Sequence, residues 1–409
     1  MEALDAILDG FTNPATGSLH GAVFLAADKS GQIIYQKASG RAGFGHNAKP
    51  LQLDSLFWIA SMTKVVTAVA VVQLVERGVL SLDEDVRERI PELRDIQILQ
   101  GMERDASGRD VPKLGPIKGK LTLRHFLSHS SGLVYDGAPL LQRWSEAQER
   151  TAHTFSGSMA GYTHPQLFQP GTSWGYGPGL DWAGQLIERV TGLTLEQYMH
   201  ANIWSKLGAH STTFHPELRA ETLPPLMEMG NRVSENQGEE SIQPGNIILG
   251  LPLQDDLGGI GLFSTPMDFM KFLITLLRGG DALLSKASVG LLFQPQLSDE
   301  SRIAMPKPLG AQMRRVLGIR SVDDHTQADH CLGGTITLKD IPERRRAGSI
   351  NWSGLPNLHW WIDPKTGITA ALFTQLMPPG DGAVTGLFIE LEKALYRVIN
   401  GEGRGGVKL

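Results

Sequence analysis

The spacing of apolar and polar positions divides the chain into a clear series of elements. Residues 1–12 carry apolar side chains at helical spacing, which predicts a short amphipathic helix. Residues 21–27 and 32–38 are rich in strand formers. Asp28-Lys29-Ser30-Gly31 between them is a turn signal, so the two runs predict a β-hairpin. The apolar run after Ser61 predicts a helix from Met62 to Arg77, stopped by Gly78. Ser81-Leu82-Asp83-Glu84 has capping-box spacing and predicts a new helical turn.

Residues 86–229 show little strand pattern. Residues 122–128 and 180–190 read as helices, and Thr194-Leu195-Glu196-Gln197 caps another that reaches about Leu207. Thr265-Pro266-Met267-Asp268 starts a further helix, with proline at its first position. Residues 347–352, 357–362 and 368–376 read as strands, and residues 384–398 as a closing helix. Strands near both ends with helices between them predict an α/β (α+β) fold. One antiparallel sheet is built from residues 1–85 and 230–409, and residues 86–229 form a helical, loop-rich insertion.

Composition narrows the picture only a little. The chain has 409 residues, 41% hydrophobic and 20% charged, as expected of a soluble globular protein of one large or two smaller domains. A net charge of −5 gives no reason to expect nucleic acid or an anionic membrane as partner. The only cysteine, Cys331, rules out an internal disulfide and suits a reducing compartment. The first residues lack a basic segment followed by an apolar one, and the apolar run at 65–75 is too short to span a bilayer. The expectation is a soluble, cytoplasmic protein.

The candidate chemistry centres on Ser61-Met62-Thr63-Lys64. Serine needs an adjacent base to act as a nucleophile. Positions i and i+3 share a helix face, which brings Lys64 beside the Ser61 hydroxyl. A helix N-terminus also favours negative charge on the attacking oxygen. Apolar flanks would make the lysine lose its proton more readily. A Ser-x-x-Lys string arises about once by chance in a chain of this length, so a capping serine followed by a surface lysine competes with this reading. Ser173, in Gly171-Thr172-Ser173-Trp174-Gly175, matches the Gly-x-Ser-x-Gly elbow. That elbow needs a buried strand before it and a helix directly after it, and Pro170 and Pro178 oppose both.

Three ordered blocks carry a resemblance. They are Ser61–Lys64 with Leu74, Gly78, Leu80, Leu82, Asp83 and Val86; Leu121-Thr122-Leu123-Arg124-His125-Phe126-Leu127-Ser128-His129-Ser130-Ser131-Gly132-Leu133; and Gly258-Gly259-Ile260-Gly261-Leu262-Phe263-Ser264-Thr265-Pro266. Together they resemble serine β-lactamase-like enzymes of the class C type, over residues 20 to 380. Residues 174–184 and 356–365 are similar in addition to the family VIII carboxylesterases, and more so to the fungal lovastatin-type acyltransferases, which acylate a polyketide alcohol. The resemblance implies a β-lactamase/transpeptidase-like fold with the active site between the sheet and the insertion.

It also implies roles. Ser61 is the nucleophile, Lys64 its lysine, and Tyr176 the tyrosine that exchanges a proton with the serine. Trp352-Ser353-Gly354 matches the Trp-x-Gly of the esterases and lines the substrate site. The amides of Ser61 and Leu355 then form the oxyanion hole. A literal Lys365-Thr366-Gly367 lies in a turn between two strands, and turn chemistry explains it. Pro178 and Trp352 stand where β-lactamases carry Asn and Lys, which argues against β-lactams and for a neutral, apolar substrate.

His325, His330 and Cys331 with Asp323, Asp324 and Asp329 fit no standard metal spacing and read as a polar loop, and no metal or other cofactor is implied. His129 reads as a structural residue ending a helix. Trp144, Tyr135 and Phe168 suit a pocket or the core equally. Three functions stay open: an acyltransferase using an acyl donor, with an acyl carrier protein implied only by analogy, and a small-molecule alcohol; a carboxylesterase; and a non-catalytic binding protein on the same fold.

Overall fold

The computed structural model describes residues 1–234 and 240–401. Along the chain come α1 (Glu2–Thr12), β1 (Gly21–Asp28), β2 (Ile33–Gly40) and α2 (Thr63–Glu76). A hairpin follows, β3 (Ile98–Arg104) and β4 (Asp110–Gly115), and then α3 (Leu123–Leu127), α4 (Gly179–Thr191) and α5 (Pro266–Leu277). Five strands follow, β5 (Ala328–Cys331), β6 (Gly334–Thr337), β7 (Ile350–Gly354), β8 (Leu358–Asp363) and β9 (Ile368–Phe373), with α6 (Ala311–Leu317) before them and α7 (Gly382–Ile399) after.

The seven-stranded sheet runs β2-β1-β9-β8-β7-β6-β5, every neighbour antiparallel. The N-terminal hairpin therefore docks on the C-terminal strands, with Val23 opposite Phe373. Alternation along β1 feeds two cores. Val23, Leu25 and Ala27 pack into the larger one with α2 and α5, while Ala22, Phe24 and Ala26 pack against α1 and α7. The helix α2 is buried from Thr63 to Leu74, which explains why its apolar residues surround the axis instead of forming a stripe.

Several expected caps are present. Thr194 and Gln197 form a capping box, Thr265 caps α5 with Pro266 at its first position, and Thr122 caps α3. The expected turn at Ser81 is not helical. Asp85 instead caps a short 3-10 turn, Val86–Glu88.

The strand-poor stretch contains the β3–β4 hairpin. Its largely polar, exposed strands lack the alternation that marks a half-buried strand. Two strands of the sheet, β5 and β6, also lay outside the expectation. Asp329, His330 and Cys331, read as a polar loop, are buried in β5. The strand expected at 347–352 runs instead over Ile350–Gly354. The one expected at 368–376 breaks after Phe373, and Leu376–Met377 then pairs with Gly230–Ser234. Among the described residues no helix is long and apolar enough to cross a membrane.

Candidate active site

Ser61 sits in a single 3-10 turn, Ala60–Met62, that runs into α2. The segment Gly258–Leu262 grips this turn. Thr67 donates to the Gly258 carbonyl at 2.6 Å, Trp58 Nε1 to the Ile260 carbonyl at 2.8 Å, and the Leu262 amide to Thr63 Oγ1 at 3.1 Å. The Gly259 carbonyl, between them, accepts from Lys64 Nζ at 2.8 Å.

Lys64 is buried, and each of its ammonium hydrogens has an acceptor. Besides Gly259, Nζ donates to Ser61 Oγ at 3.3 Å and to the Tyr135 hydroxyl at 3.0 Å. It lies 4.7 Å from the centre of the Tyr176 ring, over its π face. The setting of the nitrogen is therefore polar, unlike the apolar one its sequence neighbours suggest. Tyr135 in turn donates to Asp181 Oδ2 at 3.5 Å, and the Gly259 amide donates to Asp181 Oδ1 at 2.8 Å. Burial pushes the Asp181 carboxyl up to about 6, with the Lys64 charge opposing it. Burial, and then the Asp181 charge, push the Tyr135 phenol well above its ordinary range, so Tyr135 keeps its proton. A Cβ on Gly259 would stand 2.2 Å from Asp181 Oδ2, so only glycine fits between the carboxylate and the lysine.

Tyr176 is set by the loop that contains His129. The Gly175 amide donates to the His129 carbonyl at 2.9 Å, and the Gly177 amide to His129 Nδ1 at 3.3 Å. Burial first, then His330 and Lys64, hold His129 neutral, so its nitrogen can accept. The Tyr176 hydroxyl accepts from Trp352 Nε1 at 3.2 Å.

Ser61, Tyr176, Trp352, Ser353, Gly354 and Leu355 all line one cavity of about 580 Å³. The end of β7 lies close against the Ser61 turn. A Cβ on Gly354 would be 2.6 Å from the Ile59 carbonyl. The glycine permits this close approach of β7 to the Ser61 turn.

A profile described as Beta-lactamase matches residues 7–393. The chain belongs to the β-lactamase family. It is 36% identical over 375 residues to the lovastatin esterase of Penicillium rubens, covering 90% of this chain and 91% of that protein. It is 34% identical over 385 residues to the monacolin J acid methylbutanoyltransferase of Aspergillus terreus, covering 92% and 91%. The unliganded simvastatin synthase of Aspergillus terreus superimposes with a TM-score of 0.85 at 31% identity, covering 98% of each chain. The fold is accordingly the β-lactamase/transpeptidase-like one, with helices around an antiparallel sheet, as expected.

The other sequence candidates lie elsewhere. Ser173 is in a partly exposed loop with no strand before it. Lys365-Thr366-Gly367 forms the β8–β9 turn, where the amides of Lys365 and Thr366 both donate to Asp363 at 3.0 Å. Asp323 and His325 are in an exposed turn, apart from the buried His330 and Cys331. Among the described residues no group of three or more His, Cys, Asp or Glu is placed to hold a metal. Pro178 is buried at the start of α4, where its carbonyl accepts from Asp181 and Trp182, and it is absent from the cavity wall.

Sequence reasoning assigned no role to Asp181, although residues 174–184 carry part of the resemblance, and left Tyr135 between pocket and core. It also missed the wall formed by Pro308–Met313 and His359. Only the nearness of Tyr135 to the Ser131-Gly132-Leu133 block offered a signal.

Proposed function

We propose that the protein is a serine acyltransferase. It moves an acyl group from a thioester or ester donor, through acyl-Ser61, to the hydroxyl of a small, polyketide-like alcohol. The observation that carries this reading is the Lys64 ammonium. It is bonded to Ser61 Oγ and lies over the Tyr176 ring, and both of those residues line a largely apolar cavity.

In this reading Tyr176 takes the Ser61 proton as Oγ attacks the donor carbonyl. The Lys64 cation and the Trp352 N–H stabilise the phenolate that accepts this proton, and the transfer neutralises it. The Ser61 and Leu355 amides receive the oxyanion. Collapse breaks the donor's C–S or C–O bond, and the leaving group takes the proton from Tyr176. The acceptor hydroxyl then gives its proton to Tyr176 and attacks acyl-Ser61, and the second collapse returns the proton to Ser61 as the ester departs. Trp352, Ser353 and Gly354 contribute the wall nearest the serine. Pro178 acts only indirectly, through the start of α4.

The proposal extends to an acyl carrier protein as the donor's carrier and to a cytoplasmic setting. It also divides the chain into a sheet domain (1–85 and 230–409) and a helical domain (86–229), with the site between them. Ser61 and Trp352 come from the first, and Tyr176, Tyr135 and Asp181 from the second.

Hydrolysis by the same acyl-enzyme is the second reading, favoured by the 36% identity to a protein named an esterase. The test incubates the enzyme with an acyl thioester and an alcohol and measures ester against free acid. Ester in excess supports transfer. Free acid dominating across a range of alcohols makes the protein an esterase. Absence of any Ser61 adduct with a reactive phosphonate overturns both.

A further inference from the structure

The cavity does not end at Ser61. Its wall extends past the end of β7 to the first turn of α7, and Ser353, His359 and Thr385 line it together with Leu309, Gln312 and Met313. Ser353 and His359 are register partners, so their side chains share the face of the sheet that α7 covers.

This second arm is a built site. Asn357, at φ +63, pins its outer wall. Its Nδ2 donates to the carbonyls of Leu376 and Pro378 at 2.7 and 2.9 Å, and its Oδ1 accepts from the amides of Gly380 and Asp381 at 2.8 and 2.9 Å. The His359 ring stacks on Phe388, with centroids 4.5 Å apart.

His359 is 6% exposed, and among the described residues its ring has no hydrogen-bond partner. Its Nδ1 is fully enclosed, so the little exposure the ring nitrogens retain is at Nε2, facing the cavity. Burial first, then Arg345 and Arg344, hold the imidazole down to about 3, so it is neutral. A neutral ring carries one N–H. An enclosed donor without an acceptor is costlier than an enclosed lone pair, so the proton belongs on Nε2. That leaves one aimed imidazole donor in an arm whose other polar side chains are Ser353, Gln312, Asn357 and Thr385.

We propose that His359 is a specificity-determining residue: its Nε2–H donates to an acceptor oxygen carried on the apolar chain of the substrate that fills this arm. The proposal rests on acylation of Ser61. The oxygen belongs either to the acyl part or to the alcohol part of the ester, and the experiment separates the two.

Two matched series of esters are compared, one with a ketone oxygen at graded positions along the acyl chain, the other with it along the alcohol chain. Each ester has a methylene analogue, and acylation of Ser61 is followed by intact mass. One series is expected to show about a tenfold preference for the ketone over the methylene ester at one chain position. His359→Phe keeps the stacking ring and removes the donor, and is expected to bring that ratio to about one. His359→Gln returns an N–H donor and is expected to restore part of it. Comparing ratios within each variant cancels any general loss of activity. No preference in either series, or a preference that survives in His359→Phe, overturns the proposal. Failure of every ester to acylate Ser61 overturns the functional reading beneath it as well.

Discussion

Asp181 is coupled to Lys64 without touching it. Two single-residue bridges join them: the Tyr135 hydroxyl, which accepts from Lys64 and donates to Asp181, and Gly259, whose carbonyl faces the lysine and whose amide faces the carboxylate. A buried cation and a buried carboxylate thus share their hydrogen bonds through one phenol and one peptide. The arrangement holds Nζ against Ser61.

Asp181 gives a pH dependence with a definite sign. Its carboxyl is raised from 3.8 to about 6 in the folded protein, chiefly by burial. The unfolded chain therefore loses this proton first. The group's contribution to stability is complete below about pH 4, falls as pH rises toward 6, and is constant above that. Asp181→Asn removes the dependence. Relative to the wild type, the variant should gain on the order of 3 kcal/mol between pH 4 and 7. Urea unfolding of both proteins across this range measures it, and a constant difference between them would contradict the assignment.

Lys64 and Tyr176 should matter far more to acylation than to binding. Lys64→Met and Tyr176→Phe are each expected to lower the rate of Ser61 acylation by roughly a hundredfold to ten-thousandfold. Single-turnover mass spectrometry with an activated ester reads this directly. Tyr135→Phe should cost less than Tyr176→Phe, because Tyr135 holds its proton and positions the lysine. The reverse order would exchange their roles.

Trp352→Phe keeps a ring against Tyr176 but removes the N–H that its hydroxyl accepts. The expected cost is about tenfold in acylation rate. Added to Tyr176→Phe, the same change should cost almost nothing further, since the two side chains share one bond. Full additivity in the double variant would remove this hydrogen bond from the mechanism.

Gly354→Ala places a Cβ 2.6 Å from the Ile59 carbonyl, a backbone atom that cannot swing aside. The β7 end and the Ser61 turn must then separate. The expected outcome is a loss of roughly 1–3 kcal/mol in stability, together with slower acylation. Thermal unfolding and acylation rates on the same sample test whether the two effects appear together.

β-Lactam turnover should be slow despite the family. The resemblance places Trp352 where β-lactamases carry the lysine that helps to hold a drug carboxylate, and its indole packs against Tyr176. A chromogenic cephalosporin hydrolysed as fast as the best ester would show that the substitution does not exclude such substrates.

Local chemistry alone determined much of this protein. Ser61 and Lys64 meet because three residues make one helical turn, and this holds wherever the turn is placed. The β1–β2 hairpin, the capping threonines and the Asp363–Gly367 turn are likewise short-range matters of backbone geometry, legible from residue type and spacing. Tyr176 and Trp352 were identifiable only through ordered resemblance.

Tertiary structure decided the rest. Tyr135 and Asp181 are 46 residues apart, and each is an ordinary loop or helix residue until folding brings both to Lys64. The His359 ring became unpartnered only when β8 packed beneath α7 and closed off Nδ1. The environment of Lys64 was misread for the same reason. Its neighbours in sequence are apolar, but the acceptors around its ammonium come from residues 61, 135 and 259. Sequence spacing governs contacts within a turn. What surrounds a buried charge is governed by the distant segments that pack over it.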